Sequence, residues 1–103
     1  MVKMTVAGLR LGQKVTSTQG RDCGQNFLIV GFIDDYYVLV ADGIKRSIKQ
    51  PKKKSIKHLS ISLWVDELIE NKLSSGSQVT DEEIFSAIQR WGEKKEEGEI
   101  SLG

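Results

Sequence analysis

The residues of this chain best suited to binding a ligand are basic, and most of them lie in one short stretch. No acidic residue interrupts that stretch, so its side chains repel one another unless a counter-charge is bound. A chain of phosphates is a natural counter-charge, because lysines act as point charges that follow a phosphate backbone without reading base sequence. We expect the adjacent lysines after Pro51 to be presented by a loop. A solvated basic face that keeps the protein soluble is the alternative. The seven residues are Lys45, Arg46, Lys49, Lys52, Lys53, Lys54 and Lys57.

The loop Gly20–Gly24 offers a second place for a phosphate contact. A glycine at each end lets the backbone adopt positive φ and approach another backbone closely. Arg21 stands at the tip, where its planar guanidinium could hold a phosphate with two hydrogen bonds. The alternative is an ordinary hairpin turn in which Arg21 and Asp22 form a solvated ion pair.

Residue types that support catalysis are sparse. His58 is the single histidine and Cys23 the single cysteine, so the chain can form no internal disulfide. One imidazole without a placed partner makes neither a catalytic triad nor a metal site. We find no nucleophile–base pair, no metal-ligand spacing and no phosphate-cradling loop that opens a helix. The sequence therefore predicts a protein that is not an enzyme, with no cofactor, no bound metal and no small-molecule substrate.

Net charge divides the chain into two unlike parts. Residues 1–59 carry eleven lysines and arginines against four acids, a net charge of +7. Residues 60–103 carry four against ten, a net charge of −6. This asymmetry is typical of a polyanion-binding region joined to an acidic one. Neither a signal peptide nor a membrane span is recognisable, so we expect a soluble, cytoplasmic protein with no membrane partner.

Residues 13–61 have the pattern of five short strands joined by tight turns. Asp42-Gly43 has the residue types of a two-residue type I′ hairpin turn, with residues 44–49 as the returning strand. Pro51 ends that strand, and residues 55–61 form the last one. Closure into a small barrel would remove the exposed edges of so short a sheet. A flat meander packed against helices is the alternative.

Helical periodicity replaces strand alternation after the last strand. Trp64, Leu68 and other apolar residues recur at three-to-four spacing and predict a first helix. A second helix begins at Thr80, which pairs with Glu83 as a capping box, and it ends at Gly92. The predicted fold class is mainly β with α. It divides into a five-stranded barrel over 9–61, a two-helix hairpin extension over 62–91 and a flexible acidic tail over 92–103.

The glycine loop and its surroundings resemble a KOW motif. The resemblance begins with Leu11-Gly12-Gln13-Lys14-Val15, the loop Gly20–Gly24 and the apolar strand that follows. The continuation Ile29–Val40, with Lys57-His58-Leu59, is similar to the KOW-containing large-subunit ribosomal protein fourteen of archaea and eukaryotes. It looks closer still to small bacterial KOW-domain RNA-binding proteins. The resemblance covers roughly residues 9–60.

The resemblance implies an SH3-like β-barrel that binds ribosomal RNA through its loops and has no catalytic activity. One departure is Cys23, which stands where many KOW loops place a lysine. We expect a non-enzymatic RNA-binding protein of the ribosome or its assembly intermediates, monomeric away from RNA. The alternative is an SH3-like adaptor that binds other proteins through the barrel and helix faces. The expected RNA contacts are Lys14, Gly20, Arg21, Gly24, Lys45, Arg46, Lys49, Lys52, Lys53, Lys54 and Lys57.

Overall fold

Five strands and two helices make up the part of the chain that the computed structural model describes, which is residues 8–98, with side chains for residues 8–92. The mixture of β and α structure predicted from the sequence is confirmed. A three-residue 3-10 turn, Ile56–His58, joins the fourth and fifth strands. The elements are β1 (Gln13–Ser17), β2 (Asn26–Phe32), β3 (Tyr37–Ala41), β4 (Lys52–Ser55), β5 (Leu59–Val65), α1 (Glu67–Ser75) and α2 (Asp81–Gly98).

The strands form one antiparallel sheet in the order β4-β3-β2-β1-β5. The sheet is open: β4 and β5 are its two edges, and within residues 8–98 they do not pair with each other. The predicted closure into a barrel is therefore not seen. β4 has only four residues, and its pairing partners all lie on β3.

β2 is apolar on both faces because it lies between two hydrophobic cores. Phe27 and Ile29 belong to an inner core within the sheet, and Leu28 belongs to an outer core between the sheet and the helices. The inner core also contains Val15, Val38, Val40, Ile56 and Leu59. The outer core also contains Ile69, Val79, Ile84 and Ala87. The helices thus cover one face of the sheet.

The chain does not return from β3 through a two-residue turn, so the predicted strand over 44–49 is wrong. Gly43 has a φ of +82°, but no non-glycine residue in the described part has positive φ, and a type I′ turn needs it at both positions. Asp42 instead opens a wide loop, because its Oδ1 accepts hydrogen bonds from the backbone amides of Ile44 (2.9 Å) and Arg46 (2.8 Å). The returning strand is β4, which contains the three adjacent lysines predicted to lie in a loop.

The last strand and the first helix also begin later than predicted. β5 reaches Val65, so Trp64 ends a strand rather than starting a helix, and the expected boundary after Ile61 falls inside β5. Trp64 packs against the outer core from this strand, so its four-residue spacing to Leu68 does not reflect a helix. α1 begins only after Asp66, whose Oδ1 accepts a hydrogen bond from the Ile69 amide at 3.0 Å.

The capping box at the start of α2 is confirmed. The Glu83 amide donates to Thr80 Oγ1 at 3.2 Å, and the Thr80 amide donates to Glu83 Oε1 at 2.9 Å. The helix does not end at Gly92 but continues to Gly98, while the remaining part of the predicted acidic tail, 99–103, lies outside the described residues. Neither helix, over the residues described, has the length and hydrophobicity that a membrane span requires.

Candidate nucleic-acid interface

The loop between β1 and β2 is a tight turn shaped by its two glycines. Gly20 and Gly24 have φ angles of +92° and +91°, a region that glycine enters without a steric cost. The Ser17 amide donates to the Gln25 carbonyl at 2.9 Å, and the Gly24 amide donates to the Ser17 carbonyl at 2.8 Å. These bonds hold the loop closed and leave Arg21 exposed at its tip.

Asp22 ties this loop to β4. Its carboxylate accepts hydrogen bonds from Ser17 Oγ at 2.7 Å, from Lys52 Nζ at 2.8 Å and from Lys54 Nζ at 3.0 Å. Lys54 also donates to the Gln19 carbonyl at 3.0 Å. Burial by itself raises the pKa of Asp22, but these hydrogen bonds outweigh burial and hold the pKa well below its usual range. The carboxylate is therefore ionised at neutral pH and neutralises part of the lysine charge around it.

The N-terminus of α2 holds the wide loop between β3 and β4. Asp81 Oδ1 accepts a hydrogen bond from the Ile48 amide at 2.7 Å, and Asp81 Oδ2 accepts one from Ser47 Oγ at 3.0 Å. Gly43 lies against the same turn, where an added Cβ would stand 2.3 Å from the Asp81 carbonyl oxygen. The helical part of the chain therefore positions the loop that contains Lys45 and Arg46.

A cleft of about 350 Å³ lies between these two loops. Its basic residues come from three segments that are distant in sequence: the glycine loop, the wide loop and β4. Four bases against two acids give the lining a net positive charge. The lining residues are Arg21, Asp22, Gln25, Phe27, Asp42, Lys45, Arg46 and Lys52.

Comparison with known proteins places the chain in a family through one curated relative, although no family model matches the chain. A protein of Bacillus subtilis (strain 168) named "Putative ribosome-binding protein YbzG" is 35% identical to it over 71 residues, which are 69% of this chain and 96% of that protein. The chain belongs to the YbzG family. The match covers nearly the whole of the Bacillus protein, whereas about a third of this YbzG-family chain lies outside it.

Not all of the predicted contact residues of this YbzG-family protein lie at the cleft. Lys14 is buried in β1, where its Nζ donates to Thr16 Oγ1 at 2.7 Å and lies 3.4 Å from the ring centroid of Trp91. Lys53 is exposed on β4, and its Nζ lies 4.5 Å from the ring centroid of Tyr37. The structure therefore separates these two lysines from the bases that line the cleft.

The remaining predicted residues surround the cleft without lining it. Lys49 and Lys57 are exposed, the first in the wide loop and the second in the 3-10 turn. Lys54 is nearly buried beneath the glycine loop, and its Nζ would lie 3.8 Å from a Cβ added at Gly20. Gly20 and Gly24 shape the loop through their backbone conformation.

Four residues of the cleft were not among the predicted contacts. The sequence marks Asp22 only as a possible partner of Arg21 in a solvated ion pair and Asp42 only as a turn residue, and it marks neither Gln25 nor Phe27 as a contact. Their position depends on β4 pairing with β3, which places Lys52 opposite Val40 and beneath the glycine loop. The cleft can be recognised only if β4 is paired with β3 in the correct register. The apparent hairpin at Asp42-Gly43 instead predicts that residues 44–49 pair with β3.

Proposed function

We propose that this chain is a non-catalytic RNA-binding protein that associates with the ribosome or its assembly intermediates. The observation that carries the proposal is the convergence of Arg21, Lys45, Arg46 and Lys52 on one cleft, although they come from three separate segments. The name of its Bacillus relative describes a ribosome-binding protein, which supports association of this chain with the ribosome. The proposal includes a cytoplasmic location and a monomeric state away from RNA.

The cleft offers phosphate contacts of two kinds. Arg21 and Arg46 are exposed, and each guanidinium can hold two oxygens of one phosphate. Lys45 is also exposed and adds a point charge, whereas Lys52 already donates to Asp22 and has further N–H donors. Contacts of this kind position an RNA backbone. If each of the four bases neutralises one phosphate, log affinity should fall with log salt with a slope of about −3 for a single-stranded segment and about −4 for a duplex.

The connection between β4 and β5 supports an SH3-like, KOW-type arrangement of the sheet. These strands are the two edges, yet only Ile56–His58 separates them. In a flat sheet, edges four strand spacings apart would be about 19 Å from each other, whereas four residue steps reach at most about 14 Å. The sheet must therefore curl so that its edges approach, which is how a small barrel is built.

The proposal is tested with two double variants of equal charge. Lys45→Ala/Arg46→Ala removes two bases of the cleft, and Lys49→Ala/Lys57→Ala removes two exposed bases outside it. We expect the first to weaken binding to ribosomal RNA fragments and to make the salt slope less negative by about 2. The second should change the slope much less. Equal losses in the two variants would show that the cleft is not the site.

Sedimentation in a sucrose gradient tests the ribosomal part separately. We expect the protein to co-migrate with ribosomal subunits or their precursors and to leave those fractions after ribonuclease treatment. Co-migration that survives both ribonuclease and the Lys45→Ala/Arg46→Ala change would instead indicate a protein partner. That outcome would favour the SH3-like adaptor function over RNA binding.

A further inference from the structure

The cleft contains hydrogen-bonding groups that phosphate binding does not need. Asp42 is only 8% exposed, and its Oδ1 accepts the two backbone hydrogen bonds that shape the wide loop. Its Oδ2 accepts none from residues 8–98, and the side-chain amide of Gln25 makes none there either. Asp22 differs, because both of its oxygens are occupied.

The carboxylate of Asp42, the second in the cleft after Asp22, would weaken the binding of a ligand that offers only phosphate, because the two negative charges repel at short distance. It is favourable if the ligand also brings N–H donors into the cleft. Nucleobases do so, and guanine has two neighbouring donor groups, N1–H and N2–H₂, beside the acceptor O6. A carboxylate oxygen can accept from those donors, while the amide of Gln25 can donate to O6.

The size of the cleft agrees with one nucleotide. Its volume of about 350 Å³ lies at the lower end of the range for small-ligand sites. Arg21 and Lys45 lie on the two loops that border the cleft, and Phe27, which is buried in the inner core, adds only a small apolar part of the lining. A base could therefore enter between the loops while its flanking phosphates remain with the exposed cations.

We propose that the cleft binds one unpaired nucleotide and prefers guanine, with Asp42 and Gln25 contacting the base and the basic residues holding the neighbouring phosphates. This inference rests on the proposed RNA-binding function and names the ligand of the same site. The nucleotide must be unpaired, because pairing engages the N1, N2 and O6 groups of guanine. Single-stranded loops and bulges present bases in that way.

The test measures binding of the full chain to four pentanucleotides, r(UUGUU), r(UUAUU), r(UUCUU) and r(UUUUU). They carry the same charge, so differences among them report on the base and not on phosphate contacts. We expect r(UUGUU) to bind about tenfold more tightly than the others, the effect of one well-placed base contact. Fluorescence anisotropy of labelled RNA provides the affinities.

Asp42→Asn is the decisive variant. Asparagine keeps one oxygen for the amides of Ile44 and Arg46, so the loop retains its shape, and it replaces the second oxygen with an N–H donor. Losing a negative charge should strengthen binding of the three RNAs without guanine, and r(UUGUU) gains less because it also loses its base contact, so the preference for guanine falls to about twofold or less. Asp35→Asn is the matched control, because it removes the same charge from the exposed turn between β2 and β3. It should leave the preference intact.

The outcomes separate this inference from the function on which it rests. Equal affinity for the four pentanucleotides, or no measurable binding of any of them, would overturn the guanine site while ribosomal RNA fragments still bind. A guanine preference that survives Asp42→Asn would overturn it as well. Failure of the protein to bind either the pentanucleotides or ribosomal RNA fragments would overturn both proposals.

Discussion

Asp22 positions two of the lysines that the sequence marked as phosphate contacts. Its carboxylate is bonded to Lys52 and Lys54, so neither lysine is a mobile charge on a loop. The ion pairs also join the glycine loop to the edge strand β4. One acidic residue therefore contributes both to the stability of the fold and to the geometry of the basic cleft.

Asp22→Asn should lower the free energy of unfolding at neutral pH by about 2 kcal/mol, because a partly buried carboxylate loses its charge-assisted hydrogen bonds to two lysines. The folded protein holds the pKa of Asp22 below its unfolded value. The stabilisation is therefore complete above the unfolded pKa, begins to fall as the pH drops below about 4, and is lost fully only below the lower pKa of the folded protein. Urea unfolding at pH 7 and pH 3 should show that the gap between wild type and variant narrows at the lower pH.

Asp35→Asn is the control for that measurement, since Asp35 lies in an exposed turn. Its effect on the free energy of unfolding should be small at both pH values. A gap between wild type and Asp22→Asn that stays constant from pH 7 to pH 3 would contradict the role given to the Asp22 carboxylate.

Among the secondary-structure elements, those with a local signal were predictable and those that depend on distant partners were not. The capping box of Thr80 and Glu83 is encoded within four residues, and the structure contains it. The position of Trp64 depends on the outer core, which strand and helix residues build together, so its sequence spacing was misleading. For the candidate site, the glycine loop and the bases were identifiable from the sequence. The cleft was not, because it requires the pairing of β3 with β4.

Because α2 anchors the wide loop through Asp81, loss of this side chain should have two opposite effects on RNA affinity, one through loop geometry and one through charge. Asp81→Ala removes the acceptor of the Ile48 and Ser47 hydrogen bonds, which releases the loop that contains Lys45 and Arg46. Removing an acid near the cleft would by charge alone strengthen RNA binding. We expect binding to weaken by a few-fold instead, because a mobile loop must be ordered when RNA binds.

Glu82→Ala is the matched control for Asp81→Ala. Glu82 is the next residue of α2 and is exposed, so its removal changes the charge equally and leaves the loop anchored. Its affinity for ribosomal RNA fragments should be unchanged or slightly higher. If both variants bind more tightly than wild type, α2 affects the cleft only through its charge.

At the scale of the whole molecule, the acidic helical part and the basic strand part depend on each other. The strands supply Leu28 to one outer core, the helices supply Ile69, Ile84 and Ala87, and the segment between the helices supplies Val79. The helices also fix the wide loop at the cleft. The opposite charges of the two parts thus belong to one structural unit, in which the acidic part positions a basic cleft.

A chain that ends at Val65 should therefore fail to fold. Burial of an aliphatic side chain contributes about 1.5–3 kcal/mol, so losing the helical side of the outer core removes much of the total stability of about 5–15 kcal/mol expected of a domain. A chain that ends at Gly92 is the control, because it keeps every described residue of that core. Circular dichroism during urea unfolding should show a cooperative transition for the longer chain and none for the shorter one. A cooperative transition in the shorter chain would mean that the strands fold alone and that the helices are an attachment.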